Sequence, residues 1–267
     1  MTVAKLAEYI ELNCYAEFID TFEYMRQHTG VDVANAVITR ASGETLCMLA
    51  AKRGRYDILD YLVLAGAKYN HMSPYTGLTA IYIAMMHRQL KCVEYLVKIG
   101  ADTTVINIDG NTLLHVAARN DNDQLVSMLL SFGLDANAVN KRGETAAHLA
   151  AAKNNVLILS KLMAFGAKFD IADEQGFTAV GYAAKLDCTE AMRFFIKHNI
   201  PIATPDSNGN TLLHIAAAAE AVQMIMLLNE YGVDLNKTNM LKQTPLHLAV
   251  VSGNYWVVRK LDQNLSG

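Results

Sequence analysis

The chain has no long apolar run, little net charge and no closely paired cysteines, and each absence removes a class of function. No stretch approaches the ~20 apolar residues that a bilayer span requires, so membrane insertion is not expected. Lys and Arg number 23 against 26 Asp and Glu, a formal net charge of −3. No global basic field therefore points to nucleic acid. The acidity is local: in residues 1–30, Glu8, Glu11, Glu17, Asp20 and Glu23 stand against Lys5 and Arg26, five against two, again a net of −3. This reads as a solvated surface. The four cysteines, Cys14, Cys47, Cys92 and Cys188, form no CxxC pair. They read as small hydrophobes in a reducing compartment. Lys5 and Glu8 interrupt the first segment before any apolar run of useful length, so nothing resembles a signal peptide. A cytoplasmic location is expected.

What the chain does have is a period. Thr45, Thr79, Thr112, Thr145, Thr178, Thr211 and Thr244 follow one another at steps of 34, 33, 33, 33, 33 and 33 residues. A register of this kind is the mark of a stack of copies of one supersecondary unit. The letters around each threonine recur. Gly143-Glu144-Thr145-Ala146-Ala147-His148-Leu149-Ala150-Ala151 matches Gly110-Asn111-Thr112-Leu113-Leu114-His115-Val116-Ala117-Ala118, and the last copy reads Thr244-Pro245-Leu246-His247-Leu248-Ala249. This pattern resembles the ankyrin repeat over roughly residues 30 to 261. The resemblance implies an all-α solenoid of stacked helix pairs joined by β-hairpin-like fingers. It says less about function, because a fold of this kind carries no chemistry of its own.

Residues 110–143 show how one unit is built. Gly110 allows a tight turn, and the Thr112 hydroxyl is placed to cap the next helix. A short helix is expected from Leu113 to about Asn120, its Ala117 and Ala118 small enough for close neighbours. A second is expected from about Asp123 to Phe132, ended by Gly133. Core columns repeat down the chain: Ile58, Cys92, Leu125, Ile158, Ala191, Met224, Val257, and Leu62, Leu96, Leu129, Leu162, Phe195, Leu228, Leu261. Stability in such an array comes from interfaces between neighbours.

Departures mark local differences. The histidine column reads Met48, Tyr82, His115, His148, Gly181, His214, His247. With Gly181 in place of histidine and Asn199 in place of the helix-ending glycine, residues 176–205 are expected to be the least regular unit. Gly77 lies 11 residues past Gly66 where other fingers take 10, so a different finger shape is expected around Pro74 and Tyr75. Residues 1–41 read as a helical N-terminal cap or degenerate first repeat, with Val3, Leu6, Ala7 and Ile10 on one face and Phe18, Ile19, Phe22 and Met25 on another. Residues 42–267 read as seven repeats. The last is expected to act as a C-terminal cap, with Asp262 in a column that is apolar in the first five repeats and already broken by Asn229 in the sixth.

No constellation for chemistry emerges. His115, His148, His214 and His247 are spent on the repeat signature, and by the resemblance each bonds near the threonine hydroxyl and the adjacent finger backbone. His28, His71, His87 and His198 show no ligand spacing. Cys188 and His198 lack an orienting third group. Neither a phosphate-binding G-x-x-x-x-G-K-[ST] loop nor H-E-x-x-H is present. No catalytic, cofactor-binding or metal-binding residue is expected, and the chain reads as non-enzymatic.

The resemblance implies that protein partners bind the concave side, made of finger tips and the exposed face of the first helices. There, Tyr75, Leu78, Met86 and Ile108 are large apolar side chains at positions expected to face solvent, rimmed by Arg53, His87 and Arg119. Such a group has the composition of a binding hot spot. The alternative is that the longer finger folds Tyr75 back. Lys141, Arg142, Lys153 and Lys185 make a basic middle unit suited to an acidic segment. Met240, Leu241 and Val251 form a third apolar group. Leu129 to Asn137 and Leu228 to Asn236 resemble asparaginyl-hydroxylation sites of this family, which would make Asn137 and Asn236 the modified residues. The expected function is a protein-interaction module, monomeric on its own, that binds no nucleic acid. The alternative is the targeting arm of a larger protein, such as an enzyme or a secreted bacterial effector acting in the host cytosol.

Overall fold

The computed structural model of the chain describes residues 2–39, 41–203, 205–253 and 255–259. It divides into two compact units, residues 1–134 and 135–267.

The first unit holds four helix pairs: α1 (Val3–Leu12) with α2 (Tyr15–His28), α3 (Leu46–Arg53) with α4 (Tyr56–Leu64), α5 (Ala80–Met86) with α6 (Leu90–Lys98), and α7 (Leu113–Arg119) with α8 (Asp123–Ser131). The first helices form one layer, in which α1 packs on α3, α3 on α5 and α5 on α7. The second helices α2, α4 and α6 form another, each against the next. The expected N-terminal faces meet this core: Leu6, Ile10, Phe18, Phe22 and Met25 are buried, while Val3 and Ile19 are half-buried.

The second unit repeats the plan with α9 (Ala146–Ala152) and α10 (Val156–Ala164), α11 (Ala179–Lys185) and α12 (Thr189–Lys197), α13 (Leu212–Ala218) and α14 (Val222–Glu230), and α15 (Pro245–Ser252). Residues 255–259 are helical as well. Here α11 packs between α9 and α13, and α13 against α15.

Both core columns are buried at every described position, from Ile58 to Val257 and from Leu62 to Leu228. Each Leu, Ile, Val, Met or Phe among them contributes about 1.5–3 kcal/mol by leaving water, and Cys92 and Ala191 less. The inner helices are only 7 or 8 residues long from α3 onward, too short to persist alone. Their alanines, among them Ala50, Ala84, Ala117, Ala150, Ala183 and Ala216, are buried and let adjacent helices approach. Leu261 and Asp262, the expected last core position and polar cap, lie outside the described residues.

Among the described residues the fingers carry one isolated bridge, Val37 to Thr45. A side chain shapes each finger instead. The Oδ1 atoms of Asn140, Asp173, Asp206 and Asn239 each accept two backbone N–H groups, from the residues two and four positions on: Arg142 and Glu144, Gln175 and Phe177, Asn208 and Asn210, Leu241 and Gln243. Asn107 does the same for Asp109 and Asn111. Neighbouring fingers then join by backbone: Glu174 N–H donates to Arg142 O at 2.9 Å and Met240 N–H to Asn208 O at 3.1 Å. At Gly143 the junction leaves no room for a side chain, since a Cβ there would lie 3.0 Å from Asp173 Cα and from Glu174 N.

The finger containing Tyr75 departs as its length predicts. Its tip closes with Gly77 N–H on Ser73 O at 2.8 Å, four residues back. The tips at Gly143 and Gly176 close over three, onto Asn140 and Asp173. The expectation for residues 176–205 holds only around Gly181, where glycine has no side chain to reach the next finger and a hollow of about 290 Å³ is lined by Gly176, Phe177, Gly181 and Pro205; the helices themselves stay regular. Helices α11 and α12 match α9 and α10 in length, 7 and 9 residues. Regularity survives because Thr178 Oγ1 still accepts the Gly181 N–H at 3.3 Å. In addition, Asn199 takes the left-handed conformation, with φ of 55°, one that asparagine tolerates better than most residues.

Candidate interaction surface

His148 is buried. Its Nε2 lies 3.0 Å from the carbonyl of Phe177 in the next finger. A carbonyl only accepts, so Nε2 carries the hydrogen and Nδ1 its lone pair. That lone pair takes the Thr145 N–H at 3.0 Å, with the Thr145 hydroxyl 2.9 Å away. His214 does the same between Thr211 and the carbonyl of Gln243. His115 and His247 close equivalent boxes on Thr112 and Thr244. Burial pushes the pKa of both His148 and His214 below the ordinary 6.5, as it must for neutral rings locked in one tautomer. These imidazoles serve as struts. Among the described residues no group of three or more His, Cys, Asp or Glu is gathered so as to hold a metal ion. The four cysteines are unpaired, and burial pushes the Cys47 thiol up to about 12 and that of Cys92 to about 11, far from a reactive thiolate.

In the first unit the inner helices leave two hollows. One, of about 190 Å³, lies between α3 and α5, with Met48, Leu78, Ile83, Met86 and His87 among its walls and Glu44 and Lys52 at its edge. The other, of about 160 Å³, lies between α5 and α7, lined by Tyr82, Met86, Asn107, Asn111, Val116, Arg119 and Asn120. Met86 is common to both and is the ridge between them. It ends α5, His87 follows as the C-cap, and left-handed Arg88 turns the chain back.

Of the residues singled out from the sequence, Leu78, Met86 and His87 share the first hollow, and Met86 and Arg119 share the second. Leu78 is half-buried rather than exposed, because it lies along the hollow wall. Tyr75 and Ile108 line neither hollow. They sit on finger tips, 67% and 75% exposed, so the longer finger does not fold Tyr75 back. Arg53 is taken up by Glu11 of α1 at 2.5 Å.

In the second unit Lys141 and Lys153 are exposed. Arg142 is exposed too but is paired with the buried Glu144 at 2.9 Å. The ammonium of Lys185 lies 4.7 Å from the centre of the Phe177 ring. The basic row is therefore half committed to internal partners. Asn137 donates its amide to Gly166 O at 3.1 Å and accepts the Lys168 N–H at 2.7 Å, a clasp between successive fingers. Asp234 Oδ1 accepts the Asn236 N–H at 2.8 Å. Met240, Leu241 and Val251 are exposed.

Sequence reading missed a further hollow of about 210 Å³ in this unit, walled by Phe177, Lys185, Ile215 and Leu248 over Ala218 and Ala219. Its signal was present: Ala218 stands in the column of Arg119 and Lys185, and a small side chain there uncovers Ile215.

Comparison with protein families matches the description "Ankyrin repeats (3 copies)" over residues 12–107, 47–139, 114–206 and 200–265. No curated protein matches the chain. The chain belongs to the ankyrin-repeat family.

Proposed function

We propose that this chain is a non-enzymatic protein-interaction module whose principal contact surface is the inner face of the first unit. Ankyrin repeats are generally protein–protein interaction modules, and one observation supports this choice of face. Met86, 48% exposed, stands between two side-chain-sized hollows, with exposed Tyr75 and Ile108 nearby in sequence on the finger tips. Exposed apolar groups of this kind, rimmed by charge, are the usual composition of a contact surface. The second unit contributes Lys141, Arg142 and Lys153 as a polar contact surface of its own. Unpaired thiols, those of Cys47, Cys92 and Cys188 buried, suit a reducing, cytoplasmic setting.

The test is affinity capture from cytosolic lysate with the full chain and with a Tyr75→Ala/Leu78→Ala/Met86→Ala variant of unchanged circular dichroism. Loss of a partner that the unsubstituted chain retains supports this surface. Recovery of the same proteins by both chains removes it.

A further inference from the structure

The inner face of the first unit also carries the chemistry of what it binds, provided that the reading of that face as an interaction surface holds. Both hollows fall well short of the roughly 300–1,000 Å³ that encloses a small molecule, so each is a socket for one side chain. Their linings differ. The hollow between α3 and α5 has Met48, Ile83, Leu78 and Met86 as apolar walls. The hollow between α5 and α7 is bounded by Asn107, Asn111 and Arg119.

The charges around them differ in the same way. Lys52 is met by Glu44 at 3.4 Å and Arg53 by Glu11 at 2.5 Å. Arg88 donates to the carbonyl of Asn120. Among the described residues Arg119 has no carboxylate within ion-pair distance. It is exposed, and it and Asp109 act with opposite sign on the buried Tyr82 phenol. A guanidinium at the edge of a polar socket without an ion-pair partner is complementary to a carboxylate.

We infer that the partner of this face is an acidic protein segment. It seats one large apolar side chain in the Met48–Ile83 hollow, crosses Met86, and sets an Asp or Glu carboxylate against Arg119. The apolar side chain supplies the affinity, as buried anchors generally do. The carboxylate fixes direction and register.

The experiment selects random short peptides displayed on phage against the full chain, then measures the enriched peptides on chains carrying Leu78→Asp or Arg119→Glu. Circular dichroism checks that both variants are folded. Enriched peptides are expected to pair a large aliphatic or aromatic residue with Asp or Glu at a fixed separation. Each substitution should weaken them about tenfold or more, and a peptide with its Asp changed to Lys should prefer the Arg119→Glu chain. Peptides without acidic residues that are still lost on Leu78→Asp would overturn the acidic partner and leave the face as an interaction surface. Peptides indifferent to both substitutions, or no enrichment at all, would overturn the face and the inference together.

Discussion

The phenol of Tyr82 donates to the backbone carbonyl of Asn111 at 3.2 Å, across 29 residues. His148 reaches Phe177, and His214 reaches Gln243, across the same 29 residues. Tyrosine thus keeps the strut to the next finger, but it has no counterpart to Nδ1. The hydroxyl of Thr79 is buried without a partner. Thr79→Val should therefore be neutral or stabilising, while Thr145→Val, which removes a hydroxyl 2.9 Å from His148, should cost about 1–2 kcal/mol. Tyr82→Phe should cost about 1 kcal/mol. Urea unfolding of the three variants checks the order, and equal losses for the two threonines would refute it.

Stability should fall as pH drops below neutrality. His148 and His214 have folded pKa values below the ordinary 6.5, with burial the largest cause. Below 6.5 the unfolded chain binds protons that the folded rings refuse. Their stabilisation is therefore full above 6.5 and is lost as pH falls from there toward the folded values. Each contributes at most about 1.4 kcal/mol per pH unit. Urea midpoints measured from pH 7.5 down to 5 should decline, and His148→Gln should flatten the decline. A slope untouched by that substitution would place the acid sensitivity elsewhere.

Lys242 occupies a finger turn with φ of 59° where the preceding finger has Gly209 at 76°. The left-handed region costs a residue with a Cβ roughly 1–2 kcal/mol, partly offset by the freedom glycine loses on folding. Lys242→Gly should stabilise by about 0.5–1 kcal/mol. Asn199→Gly should gain less, since asparagine tolerates that region. Thermal unfolding of the pair distinguishes them.

Tyr182 lies between two carboxylates, its Oη 2.9 Å from Glu144 Oε1 and 2.9 Å from Asp173 Oδ2. Both acids are buried, and Glu144 also takes Arg142 at 2.9 Å and the Asn140 amide at 2.7 Å. Tyr182→Phe withdraws the phenol from between them and should cost about 1–3 kcal/mol, more than Tyr82→Phe. Denaturant unfolding of the two phenylalanine variants settles the ranking.

The exposed apolar side chains of the first unit should matter little to folding. A Tyr75→Ser/Met86→Ser chain is expected to unfold within about 0.5 kcal/mol of the parent, although it removes two proposed contacts. A much larger loss would mean that these side chains are structural.

The period, the helices and the core columns were legible because each rests on a repeated letter. Leu113 to Asn120 was expected as a helix, and Leu113–Arg119 is one. The finger-base residues Asn107, Asn140, Asp173, Asp206 and Asn239 are also 33 apart. They escaped notice because alternating Asn and Asp look like ordinary loop composition. What could not be read was reach. That Tyr82 spans to Asn111, that Arg142 is held by Glu144 and that Lys185 lies over Phe177 depend on side-chain length and direction. The irregularity expected around Gly181 stays local for a related reason. Its histidine was one of several supports, and Thr178 and Asn199 kept theirs.

Because the finger-base side chains hold their own loops by backbone N–H groups, the exposed side chains at the tips contribute little to the loop's shape. Lys141, or Ser207 and Asn208, act as interchangeable letters on a fixed frame. Substitution at these positions should leave the frame folded, so that any contact made through the tips can be altered without altering what carries them.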